Sequence, residues 1–404
     1  MKKYILGLIL TCMVFGEIPA CTTAVISGKY TVDGRPLLFK QRDTDELHNK
    51  LEFFTGGKYN FVGLVNSNDT TKAIWGGHNS AGFAIINSAS YNLNVPDTCS
   101  KRDNEGVVMK LALQQCATLK DFEHLLETMP KPLGVNANFG VIDAQGGAAY
   151  YETGNFRYTK FDANDPSVAP MGYIIRTNFS FSGERSLDKG VSRFMAAQEL
   201  FSQAALTHSL SYDFILHKVS RSLTHGLTKI NLYDNTPQNS DNSIFVTFRD
   251  FIPRYITSAS VLIHGVKGNE PTALTTMWTI LGSPLSSVAI PVWITAGNRL
   301  PSILMADKTG NAKLCEWALS LKKQLFPIDR GEGHDYLNLA ALITKDQKGI
   351  LQKLAPVEAQ IQLKAEECLK SWREGGINTQ EMSDFYDWVN KYVSEYYAQT
   401  FDCE

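Results

Sequence analysis

The chain has 404 residues, of which 44% are hydrophobic and 20% are charged, and its formal net charge is −2. This composition is ordinary for a globular protein, and the length suits one large domain or two medium ones. The near-neutral charge and the lack of a sustained basic run argue against nucleic acid as a partner.

Residues 1–20 have the pattern of a secretory signal peptide. A lysine pair precedes an apolar run over residues 4–15, and Ile18 and Ala20 stand at the −3 and −1 positions of a cleavage site. The apolar run is too short to span a bilayer, and no later stretch is long enough, so no transmembrane segment is expected. We therefore expect an exported protein, either periplasmic or secreted.

Cleavage after Ala20 would make Cys21 the first residue of the mature chain. A free α-amine titrates near ~8 and a thiol near ~8.5, so an amine on the same residue can accept the thiol proton at neutral pH. That pairing predicts an N-terminal-nucleophile hydrolase. The alternative is a lipoprotein signal, which would give a lipid-anchored binding protein without catalysis. Ile18 and Pro19 fit a lipobox poorly, since such boxes prefer leucine at −3 and a small residue at −2.

The mature chain opens with a predicted β-hairpin. Thr22–Tyr30 and Pro36–Lys40 are rich in apolar and β-branched residues, and Asp33-Gly34 lies between them. If the loop has two residues, Val25 pairs with Arg42. Cys21 then pairs with residue 46, and Arg42 lies on the face that carries Cys21.

Two further hairpins are predicted, over Ala73–Asn87 and Phe139–Glu152. Predicted helices and late strands follow the spacing of their apolar residues; the helices are Val107–Leu119, Asp121–Met129, Ser192–Ser202 and Tyr212–Leu223, and the strands are Ile244–Phe248, Ser258–His264 and Val288–Ile294. The tail from about Leu337 to Phe401 is predicted to be mostly helical. Together these elements predict an α+β fold of two stacked sheets covered by helices. We place the main domain at residues 21–330 and a helical C-terminal extension at residues 331–404.

The cysteines of the mature chain show no metal-binding spacing. They are Cys21, Cys99, Cys116, Cys315, Cys368 and Cys403. Because there is no C-x-x-C pair and the histidines form no H-E-x-x-H motif, no metal is expected. An exported compartment would permit one or two disulfides if Cys21 stays free, in a pairing that the sequence leaves open. Cys99 or Cys116 is the alternative nucleophile.

Four further side chains could complete an amidase site around Cys21. Arg42 could favour the thiolate electrostatically, and Asp45 could hold the α-amine in position. Asn87 ends an apolar strand, where its amide could donate to a carbonyl oxygen. Asn178 follows the apolar run over residues 173–175 and could do the same. Taken singly, such residues more often serve turns or structural ion pairs.

The ordered set resembles a known family. It comprises Cys21-Thr22, Arg42-x-x-Asp45, Gly82-x-x-x-x-Asn87, Thr177-Asn178 and Ser192-Arg193-Phe194. In order and approximate spacing it is similar to the linear-amide C–N hydrolases, which include the choloylglycine (bile-salt and penicillin V) hydrolases and the acyltransferases that act on 6-aminopenicillanate. The resemblance covers roughly residues 21–320.

The resemblance implies a four-layer αββα fold and catalysis without a metal or an organic cofactor. Cys21 would be the nucleophile and its amine the base, while Arg42 and Asp45 would match the residues that orient and tune that terminus. Asn87 would match the oxyanion donor, and Asn178 would match the second polar residue near the substrate amide. Arg193 would match the second family arginine.

The substrate implied by the resemblance is a small-molecule acyl amide. A conjugated bile acid, an N-acyl amino acid and a penicillin V-like amide are the classes to consider, and acyl transfer to a second amine is the alternative reaction. Glu46 stands where an aromatic residue commonly follows the aspartate, and no bile-acid pocket can be matched. The acyl group therefore stays open, since fold does not fix substrate. The oligomeric state is open as well, a homo-oligomer included.

Overall fold

The computed structural model describes residues 20–94, 103–296 and 299–403. The predicted signal peptide up to residue 19 and the alternative nucleophile Cys99 lie outside the described residues. None of the described helices is long and apolar enough to cross a membrane.

One antiparallel sheet carries the beginning of the predicted mature chain. Its strands are β1 (Cys21–Ile26), β2 (Leu37–Asp43), β10 (Tyr173–Arg176), β12 (Thr257–His264), β13 (Thr276–Leu281) and β14 (Ile290–Val292). They lie in the order β10-β1-β2-β12-β13-β14, so β1 and β2 are interior strands of the sheet.

The second sheet is a seven-stranded antiparallel meander in chain order. Its strands are β3 (Asn49–Phe54), β4 (Phe61–Asn66), β5 (Gly76–Asn79), β6 (Ala84–Ala89), β7 (Ala137–Ile142), β8 (Ala148–Thr153) and β9 (Tyr158–Asp162). A separate two-stranded sheet joins β11 (Phe245–Thr247) to β15 (Tyr336–Asn338).

The two large sheets pack face to face. A Cβ built at Gly140 of β7 would lie 3.0 Å from Val25 of β1 and 3.1 Å from Leu38 of β2. Glycine therefore allows the sheets to approach closely at this point. The apolar residues between the sheets are buried and belong to one continuous core.

Helices cover the outer faces of both sheets. They are α1 (Glu105–Gln115), α2 (Leu119–Thr128), α3 (Val191–Leu206), α4 (Tyr212–Phe214, continued by a π-helical turn over Ile215–Val219), α5 (Lys313–Leu325), α6 (Leu339–Leu342), α7 (Ile350–Gly375) and α8 (Thr379–Phe401). The α1 helix packs on β5 and β6, whereas α3, α5 and α7 pack on strands of the six-stranded sheet. This confirms the predicted α+β fold of four layers, αββα, with a helical C-terminal region.

The register predicted for the first hairpin is wrong. Cys21 pairs with Arg42, and Val25 pairs with Leu38, because the strands are joined by a long loop over residues 27–36. The Asp33-Gly34 step makes a turn inside that loop, where the Gly34 nitrogen donates to the Thr31 carbonyl at 3.3 Å. The shift places Arg42 directly opposite Cys21.

A buried ion pair joins α7 to the segment that follows the π-helical turn. Glu358 accepts hydrogen bonds from both terminal nitrogens of Arg221, at 2.7 and 2.6 Å, and from the Ala289 nitrogen at 2.7 Å. Burial alone would raise the pKa of Glu358, but the Arg221 charge and hydrogen bonds from His217 and Arg221 lower it to about 2. The carboxylate is therefore ionised in the folded protein at neutral pH.

Candidate active site

Cys21 is the first residue of β1 and lines a cavity of about 590 Å³. Its side chain is largely buried, with 8% of the residue surface exposed. In the described chain Cys21 follows Ala20, so its nitrogen is a peptide nitrogen that stands where the α-amine of a processed chain would be. A larger groove of about 870 Å³ lies at the opposite end of β1 and has no cysteine in its wall. The thiol therefore marks the smaller cavity as the candidate site.

Asn178 and Arg193 hold both backbone polar atoms of Cys21. The Cys21 nitrogen donates to Asn178 Oδ1 at 3.0 Å, and Arg193 Nη1 donates to the Cys21 carbonyl at 2.6 Å. Arg193 also links the two, since its Nη2 donates to Asn178 Oδ1 at 2.8 Å. Burial lowers the pKa of Arg193 to about 10, so it stays charged at neutral pH. The two predicted residues thus meet at the amino end of β1.

Arg42 lies beside Cys21 and is held by the second sheet. Its Nη2 donates to Asn66 Oδ1 at 2.8 Å, and its Nη1 donates to Asn49, the residue paired with Asn66 between β4 and β3. The guanidinium carbon lies 4.9 Å from the centre of the Trp75 ring. Arg42 therefore bridges the two sheets at the cavity, as a charge in a fixed position.

Asn87 lies on β6, buried in the wall of the same cavity. Its Oδ1 accepts a hydrogen bond from Lys40 Nζ at 2.6 Å. Lys40 also lines the cavity, is 1% exposed and was not among the residues predicted from the sequence. Burial lowers the pKa of Lys40 to about 8. A signal was present, because Lys40 lies two residues before Arg42 in one strand and so shares its face.

The structure does not place Asp45 in the wall of the cavity that contains Cys21. Asp45 is exposed, and its carboxylate accepts a bond from the neighbouring Thr44 hydroxyl at 3.2 Å. A buried carboxylate in the cavity wall is Asp43, the last residue of β2. Asp43 accepts from Arg254 Nε at 3.0 Å and from Thr257 Oγ1 at 2.6 Å. The chain leaves the sheet after Asp43, which carries Asp45 out to solvent.

Four further carboxylates line the cavity, with two aromatic side chains. They are Glu46, Asp69, Asp103 and Glu105, with Trp75 and Tyr91. Burial raises the pKa of Glu105. Within residues 20–94, 103–296 and 299–403, no group of three or more His, Cys, Asp or Glu side chains could hold a metal ion.

The other described cysteines are poor candidates for the nucleophile. All five described cysteines are free thiols. Cys116 lies in the apolar cluster beneath α1 and α2, and burial raises its pKa to about 12. Burial likewise raises the pKa of Cys315 to about 11. A buried thiol with a raised pKa is a weak nucleophile, which disfavours Cys116 as the alternative.

Several solved structures are similar to the chain. A variant of the conjugated bile acid hydrolase from Clostridium perfringens is 12% identical with a TM-score of 0.44, and the match covers 69% of this chain and 94% of that one. A Caenorhabditis elegans ortholog of N-acylethanolamine-hydrolyzing acid amidase is 14% identical with a TM-score of 0.42, over 63% of this chain and 95% of that one. Penicillin V acylase from Agrobacterium tumefaciens is 13% identical with a TM-score of 0.38, over 68% of this chain and 86% of that one.

No protein-family model and no curated protein matches the sequence. At such identities and scores, the function of this chain has to be inferred from its own residues.

Proposed function

We propose that the chain is an exported amidohydrolase that cleaves a linear, non-peptide C–N amide through a thioester on Cys21. The observation that carries the proposal is the position of the Cys21 nitrogen. It lies 3.0 Å from Asn178 Oδ1, at the first residue of a strand and in the wall of a cavity. Removal of residues 1–20 would turn that nitrogen into an amine on the same residue as the thiol.

The first half of the reaction forms the acyl-enzyme. The α-amine accepts the thiol proton, and the thiolate attacks the amide carbonyl carbon. The carbonyl oxygen becomes an oxyanion, which the Asn87 amide can bind from the cavity wall. The amine then gives its proton to the leaving nitrogen as the C–N bond breaks, which leaves the acyl group on sulfur.

The second half releases the acid. The α-amine takes a proton from water as the water oxygen attacks the thioester carbonyl, and the amine returns that proton to sulfur as the C–S bond breaks. An added amine in place of water would give acyl transfer from the same intermediate. Which acyl group is taken stays open between conjugated bile acids, N-acyl amino acids and penicillin V-like amides.

The charges around Cys21 fit this role for the amine. Arg193 is bonded to the Cys21 carbonyl and to Asn178, and Arg42 lies opposite in the sheet. A nearby cation favours the neutral form of an amine and the anionic form of a thiol. The neutral amine is the form that can accept the thiol proton, and the cations stabilise the thiolate that results while they oppose the ammonium formed with it.

A screen of the processed protein against a panel of acyl amides tests the proposal, with amine release as the readout. We expect turnover of at least one member, near-complete loss in Cys21→Ala, and strong but partial loss in Cys21→Ser, because an alcohol is harder to deprotonate than a thiol. Unchanged turnover in Cys21→Ala would refute the role of Cys21.

Intact mass of the exported protein separates the enzyme from a lipid-anchored binding protein. The enzyme requires a chain that begins at Cys21 with an unmodified amine. A diacylglyceryl adduct on Cys21 would favour the anchored protein instead.

A further inference from the structure

Lys40 is a buried cation that has no role in the reaction proposed above. Removing an ammonium group from water is unfavourable, and proteins usually offset this cost with a carboxylate. Among the described residues, no carboxylate lies within ion-pair distance of Lys40; its hydrogen-bond partner is the neutral Asn87 amide, at 2.6 Å. The burial of this charge therefore calls for an explanation other than a structural salt bridge.

The partner atom determines how the Asn87 amide is turned. An ammonium group has three donors and no acceptor, so the amide atom that faces Lys40 must be the oxygen. The Asn87 Nδ2, which carries both N–H donors, is then directed away from Lys40. Asn87 lines the cavity that contains Cys21, so those donors are available to a carbonyl oxygen of a substrate.

We propose that Lys40 is a positioning residue that holds the Asn87 amide with its N–H donors turned toward the oxyanion of the thioester-forming reaction. This inference rests on the proposed function. The inference adds to that function a second side chain, on the opposite sheet from Asn87, that sets the orientation of the oxyanion donor.

The strand register explains why Lys40 can hold one position. Lys40 lies on β2 opposite Thr23 of β1, and its Nζ lies 5.8 Å from the centre of the Trp75 ring. A cation on the oxygen of an amide also polarises that amide, which strengthens its N–H groups as donors. Lys40 would thus both orient and strengthen the donor.

A double-mutant cycle on amide turnover tests the proposal. With the donor lost, Asn87→Ala should lower kcat by about 100-fold to 1000-fold. Lys40→Met should lower kcat by about 10-fold to 100-fold with KM nearly unchanged, and Lys40→Arg should recover part of that loss. In the Asn87→Ala background, Lys40→Met should cost less than about threefold more, because residues that act through one another are not additive.

A second measurement separates the amide from the thiol. Alkylation of Cys21 by iodoacetamide needs the thiolate but no oxyanion donor, so Lys40→Met should slow it far less than it slows turnover. Loss of alkylation in parallel with turnover, or an additive cycle, would overturn the inference. If Lys40→Met does not fold, the cycle is run with Lys40→Gln under the same criterion. Failure of the wild-type protein to hydrolyse any amide would overturn the proposed function itself, and the inference with it.

Discussion

Alanine at Gly190 should loosen the nucleophile without contacting it. Gly190 precedes α3 with a φ of 76°, and a Cβ there would lie 2.3 Å from Nη2 of Arg193. Real Cβ atoms do not approach other atoms so closely, so the Arg193 guanidinium must move. That guanidinium holds the Cys21 carbonyl and Asn178 Oδ1, and both contacts should weaken together.

Gly190→Ala should lower both the free energy of unfolding and the rate of amide release. A left-handed backbone costs a residue with a Cβ about 1–2 kcal/mol, which lowers the free energy of unfolding. Displacing the Arg193 guanidinium shifts the reacting residue, and a misplacement of about 1 Å can cost about 100-fold in rate. We therefore expect kcat for amide release to fall about 100-fold in Gly190→Ala.

Gly146 offers a matched control. It has a φ of 87° in the β7–β8 turn, and a Cβ there would meet no described atom within 4 Å. Gly146→Ala should show only the backbone part of the loss of unfolding free energy in urea, with kcat unchanged. Equal activity of the two folded variants would show that Arg193 does not hold the nucleophile in place.

Three further outcomes are expected. Asp45→Asn should leave turnover within about twofold, whereas Asp43→Asn should lower it about tenfold or more, because the buried carboxylate anchors a bonded network; the reverse order would restore Asp45 to the site. Asn66→Ala should lower kcat about tenfold through loss of a bond to a charged group, Arg42, and unchanged kcat would show that the Asn66 bond does not position Arg42 for the reaction. Glu358→Gln should lower the unfolding free energy at pH 7 by about 3 kcal/mol. Because the folded pKa of Glu358 lies below its usual 4.5, its contribution is present above that pH and is lost as the pH falls toward about 2. A wild-type unfolding free energy as flat as that of the variant between these pH values would contradict this.

The elements that positioned Cys21 could be predicted because their patterns are local. The strand after Cys21, the hairpins around Gly82 and Gly146, and the helices between them follow from apolar spacing and turn residues. Several strands were not predicted, β3, β4 and β10 among them. β3 carries Lys50 and Glu52 among its apolar residues, and its partner strand rather than its own pattern fixes it as a strand.

The site shows the same division between local and tertiary information. The motif order predicted one site for Cys21, Asn178 and Arg193, which lie far apart in the chain, and hydrogen bonds join the three residues in the structure. The relation of Asp43 and Asp45 to Cys21 depends on how the loop over residues 27–36 folds, and the two-residue loop expected from Asp33-Gly34 gave the wrong pairing. The division of the chain at residue 330 and the exported location stay predictions.

The most direct test is to identify the residue that carries the acyl group. Acid quench during turnover, followed by intact and peptide mass measurement, should show a chain that begins at Cys21 with a hydroxylamine-labile acyl group on its sulfur. A productive enzyme whose chain still carries residues before Cys21, or whose acyl group lies on another side chain, would contradict the account.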